Sequence, residues 1–170
     1  AMNAECCQNF AGPKHTLVDF HRMMTRLVEM EDSQYSYRNV LAAYTSSGIL
    51  AGICVAYDGA KLHQLRRRFY EAALEAFGID YTGMADETED GEFYIDSLAV
   101  SSNFRGKGIA SQLLQATIER GAELGIPTVG LLVDKGNPKA EALYQRLGFV
   151  YVNDSTWGGH PMRHLQYKKN

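Results

Sequence analysis

The segment Phe93-Tyr94-Ile95-Asp96-Ser97-Leu98-Ala99-Val100-Ser101-Ser102-Asn103-Phe104-Arg105-Gly106-Lys107-Gly108-Ile109-Ala110 decides how the rest of the chain is read. Phe93 to Val100 is a run of strand formers, a short polar turn follows, and a basic loop with two glycines opens an apolar-periodic segment, Ile109 to Leu124. The order predicts strand, loop, helix. Such a loop meets the unpaired N–H groups of the helix's first turn, where the helix dipole adds partial positive charge, so an anion such as a pyrophosphate suits the place. Gly106 and Gly108 would let phosphate oxygens reach the backbone, and Arg105 and Lys107 add formal charge. Taken alone, the loop is equally a surface turn with two solvated cations.

Two longer patterns narrow the reading. Arg105-x-x-Gly108-x-Ala110, set between that strand and that helix, resembles the coenzyme A signature of the GNAT superfamily of N-acetyltransferases: Arg or Gln, two residues, Gly, one residue, Gly or Ala. Downstream, Asn137-Pro138-Lys139-Ala140-Glu141-Ala142-Leu143-Tyr144-Gln145-Arg146-Leu147-Gly148-Phe149 resembles the same superfamily's Asn-x-x-Ala-x-x-Leu-Tyr-x-x-x-Gly-Phe segment. The resemblance is firm over Phe93 to Tyr151 and general before it.

The resemblance implies a single GNAT domain over residues 1–170, an α/β fold whose mixed, mostly antiparallel central sheet is flanked by helices. It implies acetyl-CoA as cosubstrate, no metal, and direct acetyl transfer from the thioester to a primary amine. Carried over residue by residue, Arg105, Gly106, Lys107, Gly108, Ile109 and Ala110 hold the pyrophosphate, and the backbone of Leu98, Ala99 and Val100 pairs with the pantetheine arm as with a strand. Asn137 hydrogen-bonds that arm, with turn formation before Pro138 as its alternative role. Tyr144 contacts the cofactor and protonates the departing thiol. A homodimer is an expectation of the family only. The chain departs from the family, whose members usually open with a strand before the first helix: either that strand lies outside the given sequence or the protein manages without it, and an uncovered sheet edge would then favour coverage by a loop or by another chain.

Acetyl transfer to an amine poses a protonation problem. An alkyl ammonium with a pKa of ~10.4 is nucleophilic in only about one molecule in a few thousand at pH 7, so a base must take its proton. A thiol with a pKa near ~8.5 leaves more easily, and an acid beside the sulfur helps modestly. Strand alternation puts Glu92, Tyr94, Asp96, Leu98 and Val100 on one face, which makes Asp96 and Glu92 the candidate bases, Asp96 sitting deeper. A structural carboxylate is the alternative for either.

Two rival classes remain. A catalytically silent acyl-CoA-binding sensor would use the same fold. A dinucleotide-binding unit would use Gly106-x-Gly108-x-x-Ser111 and Asp134, although its third glycine is missing.

The bulk properties fit one soluble domain: 170 residues, 45% hydrophobic and 22% charged. A net charge of −3 argues against nucleic acid as a partner, and no apolar run is long enough to span a membrane. Cys6, Cys7 and Cys54 make no disulfide framework, which points to a reducing, cytoplasmic setting. Ala1 ahead of Met2 reads as a residue added before an initiator methionine.

Along the chain, Ala1 to Phe10 predicts a short helix stopped at Gly12-Pro13, and Thr16 with Asp19 resembles a capping box opening an amphipathic helix to Met30. Met23, Met24 and Met30 read as core filler, with His15 and His21 on the wet face. Tyr35 and Tyr37 either touch substrate or anchor their loop. Asn39 to Tyr44 and Ile49 to Tyr57 predict a hairpin, followed by a helix over Ala60 to Phe77 whose Arg66, Arg67 and Arg68 read as a solvated face. The loop carrying Asp80, Asp86, Glu87, Glu89 and Asp90, with Glu92 beyond, either draws a cationic amine or is merely solvated. Thr128 to Val133 predicts a strand parallel to the central one, Pro138 to Leu147 a helix, and Phe149 to Val152 with Met162 to Tyr167 a closing antiparallel pair.

Overall fold

The computed structural model describes residues 4–168. Ala1 and Met2, and the first residues of the expected N-terminal helix, lie outside the described residues. The order is α1 (Ala4–Ala11), α2 (Leu17–Glu29), β1 (Val40–Tyr44), β2 (Leu50–Asp58), α3 (Leu62–Phe77), β3 (Phe93–Val100), α4 (Ile109–Glu123), β4 (Thr128–Asp134), α5 (Pro138–Arg146), β5 (Val150–Trp157) and β6 (His160–Lys168). The local chemistry sets most of these boundaries. Thr16 and Asp19 form a reciprocal capping box at the start of α2, Pro138 occupies the first turn of α5, and Gly78 ends α3 in the left-handed region.

The six strands form one sheet in the order β1-β2-β3-β4-β6-β5. Only β3 and β4 run parallel; every other pair is antiparallel, so the sheet is mixed and mostly antiparallel. This topology has no doubly wound parallel sheet, which removes the dinucleotide-binding reading. The last two strands are longer than the sequence suggests, and β6 inserts between β4 and β5. Edge strands are β1 and β5, and two helices precede β1 where the family's usual first strand is absent among the described residues.

Apolar side chains sort the helices onto two faces. Leu113, Leu114 and Ile118 of α4 pack with Phe93, Ile95, Val129 and Leu131 on one face, joined by Leu143 and Tyr144 of α5. On the opposite face α1, α2 and α3 share a core of Phe10, Phe20, Leu27, Phe69 and Phe77. Met23 is part of that core, as its place in the helix suggested. Tyr57, Tyr94, Leu62 and Leu65 lie between this helical layer and the sheet.

Two irregularities in β3 shape everything that follows. First, the pairing with β4 covers only Phe93↔Val129, Tyr94↔Gly130 and Ile95↔Leu131, after which the strands part. Second, Val55 pairs with Ser97 and Ala56 with Ile95, so Asp96 is the extra residue of a bulge in β3. The bulge corrects the simple alternation. Leu98 packs against the same core as Phe93 and Ile95, and no longer shares the face of Tyr94.

The arginine run also differs from expectation. Arg66 is 1% exposed and pairs with Glu87, itself buried, while Arg67 and Arg68 stay at the surface with Glu71 and Asp32. Asp86 is a second partner of Arg66. The acidic loop is therefore partly folded into the molecule: two of its carboxylates hold a buried guanidinium, which isolated burial would strongly disfavour.

Candidate active site

Where β3 and β4 part, they open a cleft of about 540 Å³. Asp96 and Ser97 line it from β3, Leu132, Val133 and Asp134 from β4, and Asn137, Ala140 and Tyr144 from the turn and helix that follow. Tyr35, Tyr94, Trp157 and Met162 wall the other end. The cleft is a direct product of the short parallel pairing, since a longer ladder would close it.

Asp96 sits at the bulge, half-buried. The Ser97 hydroxyl donates to its Oδ2 at 2.7 Å, and the Gln34 side-chain amide lies 3.5 Å from its Oδ1. Burial pushes its carboxyl above the usual aspartate range, with the Ser97 hydrogen bond acting the other way. A base of this kind binds a proton more avidly than an exposed aspartate. Glu92, the other candidate base, does not line the cleft. It is 1% exposed, its Oε2 is 2.7 Å from His164 Nε2 and accepts from Gln166 Nε2 at 2.8 Å, and its Oε1 accepts from the Thr88 hydroxyl. Those partners make it a structural carboxylate.

Tyr144 projects from α5, its ring set edge-on to Phe149 at 6.0 Å between centroids. Burial raises its phenol to about 12, so it holds its proton at neutral pH. Beneath it lies Cys54, fully buried, accepting from the Thr117 hydroxyl, its thiol raised by burial to about 11. Cys6 lines the cleft, and burial raises its thiol as well. Neither cysteine is poised as a thiolate nucleophile. Asn137 caps α5 through its Oδ1, which accepts from the Ala140 N–H at 3.2 Å, and it also lines the cleft.

The loop of Arg105 to Gly108 lies at the N-terminus of α4. Gly106 and Gly108 have φ of 75° and 78°, and a Cβ on either would meet nothing within 4 Å. Positive φ is one reason for glycine here, and the open approach to the backbone is the other. Arg105 Nε donates to the Val100 carbonyl at 3.3 Å, and Lys107 Nζ stands 5.3 Å from the centroid of the Phe104 ring. Past Ile95, the β4-facing edge of β3, which includes Leu98, Ala99 and Val100, has no ladder partner among the described residues. The open strand edge therefore runs on into the glycine loop and the N-terminus of α4, where unpaired backbone amides suit an anion. Among the described residues no cluster of His, Cys, Asp or Glu has the arrangement of a metal site.

Several lining residues escaped the sequence reading. Tyr35 faces the cleft as one of its two proposed roles required, whereas Tyr37 is exposed and donates to Glu31. Trp157 reaches the cleft from the end of β5, held by Glu87, which accepts from its indole N–H at 3.2 Å. Nothing local in the sequence marks that long-range contact.

Comparison with known proteins agrees with this geometry. Residues 76–149 match the Acetyltransferase (GNAT) family. A mycothiol acetyltransferase of Propionibacterium freudenreichii is 37% identical over 45% of this chain and 24% of its own length. A spermine/spermidine N(1)-acetyltransferase of Bacillus subtilis is 27% identical over 54% of this chain and 62% of its own. This chain thus spans less than two thirds of the length of these relatives. The crystal structure of an acetyltransferase, 26% identical, covers 98% of this chain and 96% of its own with a TM-score of 0.76. The segment that carries the signature loop thus matches the GNAT acetyltransferase family, and the fold is matched along nearly its whole length by a solved acetyltransferase.

Proposed function

We propose that this protein transfers the acetyl group of acetyl-CoA directly to a primary amine. One observation carries the reading: a carboxylate of raised basicity, Asp96, and a neutral phenol, Tyr144, line the same cleft at the point where β3 and β4 part. The cosubstrate supplies an activated thioester. Leu98 to Val100 align its pantetheine arm along the open edge of β3, and the first-turn amides of α4, with Gly106, Gly108, Arg105, Lys107, Ile109 and Ala110, hold its pyrophosphate. Asn137 contributes its side-chain amide to the arm.

Asp96 takes the proton of the acceptor ammonium, directly or through a water, and the freed nitrogen forms its bond to the acetyl carbon. Tyr144 gives its proton to the sulfur as the carbon–sulfur bond breaks, and it is reprotonated, through solvent, as the nitrogen sheds its second proton on becoming an amide. The thiols of buried Cys54 and half-buried Cys6, both raised by burial, support direct transfer over an acyl-cysteine route. The varied acceptors named for the relatives give no single acceptor to carry over. A thiol-release assay with polyamines, amino acids, aminoglycosides and peptide N-termini tests the reading. Acetyl-CoA-dependent thiol release that follows amine concentration supports it. Acetyl-CoA binding without release for any amine would favour a silent acyl-CoA sensor.

A further inference from the structure

We propose that the acceptor is a cationic amine with no carboxylate beside its amino group, seated between the aromatic wall of Tyr35, Tyr94 and Trp157 and the carboxylate of Asp96. The inference rests on the acyl-transfer reading of the same cleft and adds the chemical class of its second substrate.

Charge is the first support. Asp96 and Asp134 are the acidic lining residues, and no lysine or arginine lines the cleft among the described residues. Three basic side chains on or near the bordering elements are committed elsewhere, and Lys139 and Arg146 of α5 do not line the cleft. Arg163 pairs with Glu141 at 2.6 Å, Lys135 with Asp154 at 2.7 Å, and Arg66 with Glu87. His160, which does line the cleft, already faces a carboxylate, its Nδ1 3.5 Å from Asp134 Oδ2. An amino acid acceptor would bring its own carboxylate into this wall with no cation to receive it, next to Asp96, at the cost of desolvating an unpaired anion.

The wall itself is the second support. Tyr35 and Tyr94 are buried with phenols held well above their ordinary pKa by burial, so both remain neutral, and Trp157 offers the face that attracts cations most strongly. Met162 adds a polarizable surface beside them. Third, Asp96 is held from behind by the Gln34 side-chain amide, 3.5 Å from its Oδ1, and by the Ser97 hydroxyl, so the carboxylate that would meet an ammonium is fixed in place.

The experiment measures kcat/KM by thiol release for acceptor pairs differing only in the carboxylate: tyramine and tyrosine, phenethylamine and phenylalanine, agmatine and arginine. Calorimetry of acetyl-CoA binding runs beside it. We expect the amine of each pair to exceed its amino acid by about tenfold or more. Met162→Lys, which supplies a cation to the wall, should shrink that ratio. Equal or reversed preference across the pairs overturns the inference. So does intact acetyl-CoA binding with no release from any pair, which leaves the donor half of the site standing. Loss of acetyl-CoA binding by the folded wild-type protein would instead overturn the acyl-transfer reading itself, and this inference with it.

Discussion

The carboxylate of Glu92 lies directly over Gly130 on the neighbouring strand, in the space that a methyl group on Gly130 would fill. Tyr94 and Gly130 are register partners, so this contact sits within the three-pair ladder that joins β3 to β4. Gly130 has an ordinary strand conformation, and the side chain it makes room for is the reason for glycine there.

Glu92 is therefore expected to matter for stability and little for turnover. Glu92→Ala leaves His164, Gln166 and Thr88 without their common partner, and should cost about 3 kcal/mol of stability. Gly130→Ala should cost about 1–3 kcal/mol by overpacking. Chemical denaturation checks both. A collapse of kcat in folded Glu92→Ala would return Glu92 to the list of bases.

Asp96 should behave in the opposite way. Asp96→Asn should lower kcat/KM by about a hundredfold to ten-thousandfold and remove the acidic limb of the pH–rate profile. In the wild type that limb rises as Asp96 ionises, above the ordinary aspartate range, because burial raises its pKa. The sign for stability follows from the same shift. Between the unfolded and the folded pKa the folded state binds the extra proton, so stability falls as pH rises through that window. Asn, which never ionises, should therefore make the protein more stable at neutral pH. A pH–stability series on both proteins tests it, and an Asn variant less stable at neutral pH would contradict the assignment.

Tyr144→Phe keeps the ring packed on Phe149 and removes only the proton donor. Turnover should fall by about tenfold to a thousandfold with donor affinity nearly unchanged. The loss should be smaller for a donor with a more acidic thiol. Kinetics indifferent to the leaving group, together with a lower melting temperature, would point to a packing role.

Gly108→Val should abolish acetyl-CoA binding, read by calorimetry. Its φ of 78° also means some loss of stability, about 1–2 kcal/mol or more for a branched residue. Gly48→Val is the matching control, since Gly48 has a φ of 79°, equally open surroundings, and lies in the β1–β2 turn. It should lose comparable stability and keep full binding. Parallel loss of binding in both would mean that strain, and not obstruction, removes the site.

How much of this was legible beforehand depended on the range of the interactions involved. The capping box at Thr16, the stop at Gly78 and the strand-loop-helix around Arg105 are all written within a few residues, and the sequence reading located each. Arg66 was misjudged because its burial depends on Glu87 and Asp86, about twenty residues on, and three adjacent arginines look alike until the fold chooses one. The bulge at Asp96 is a property of β2 and β3 together, so simple alternation put Leu98 on the wrong face. Trp157 joins the cleft through Glu87 and stacks near Phe10, contacts with no local signature.

The brief ladder between β3 and β4 makes the sheet two leaves sewn by a three-stitch seam, with β1 to β3 on one side and β4, β6 and β5 on the other. A cosubstrate that pairs with the open edge lengthens that seam from within. Amide hydrogens of Ser97 to Val100 should then exchange more slowly once acetyl-CoA is bound, and the two leaves should unfold as one unit where the free protein allows them to open separately. Donor binding and the mechanical cohesion of the sheet would then be the same event, felt also by the acceptor's wall, which spans both leaves through Tyr94 and Trp157.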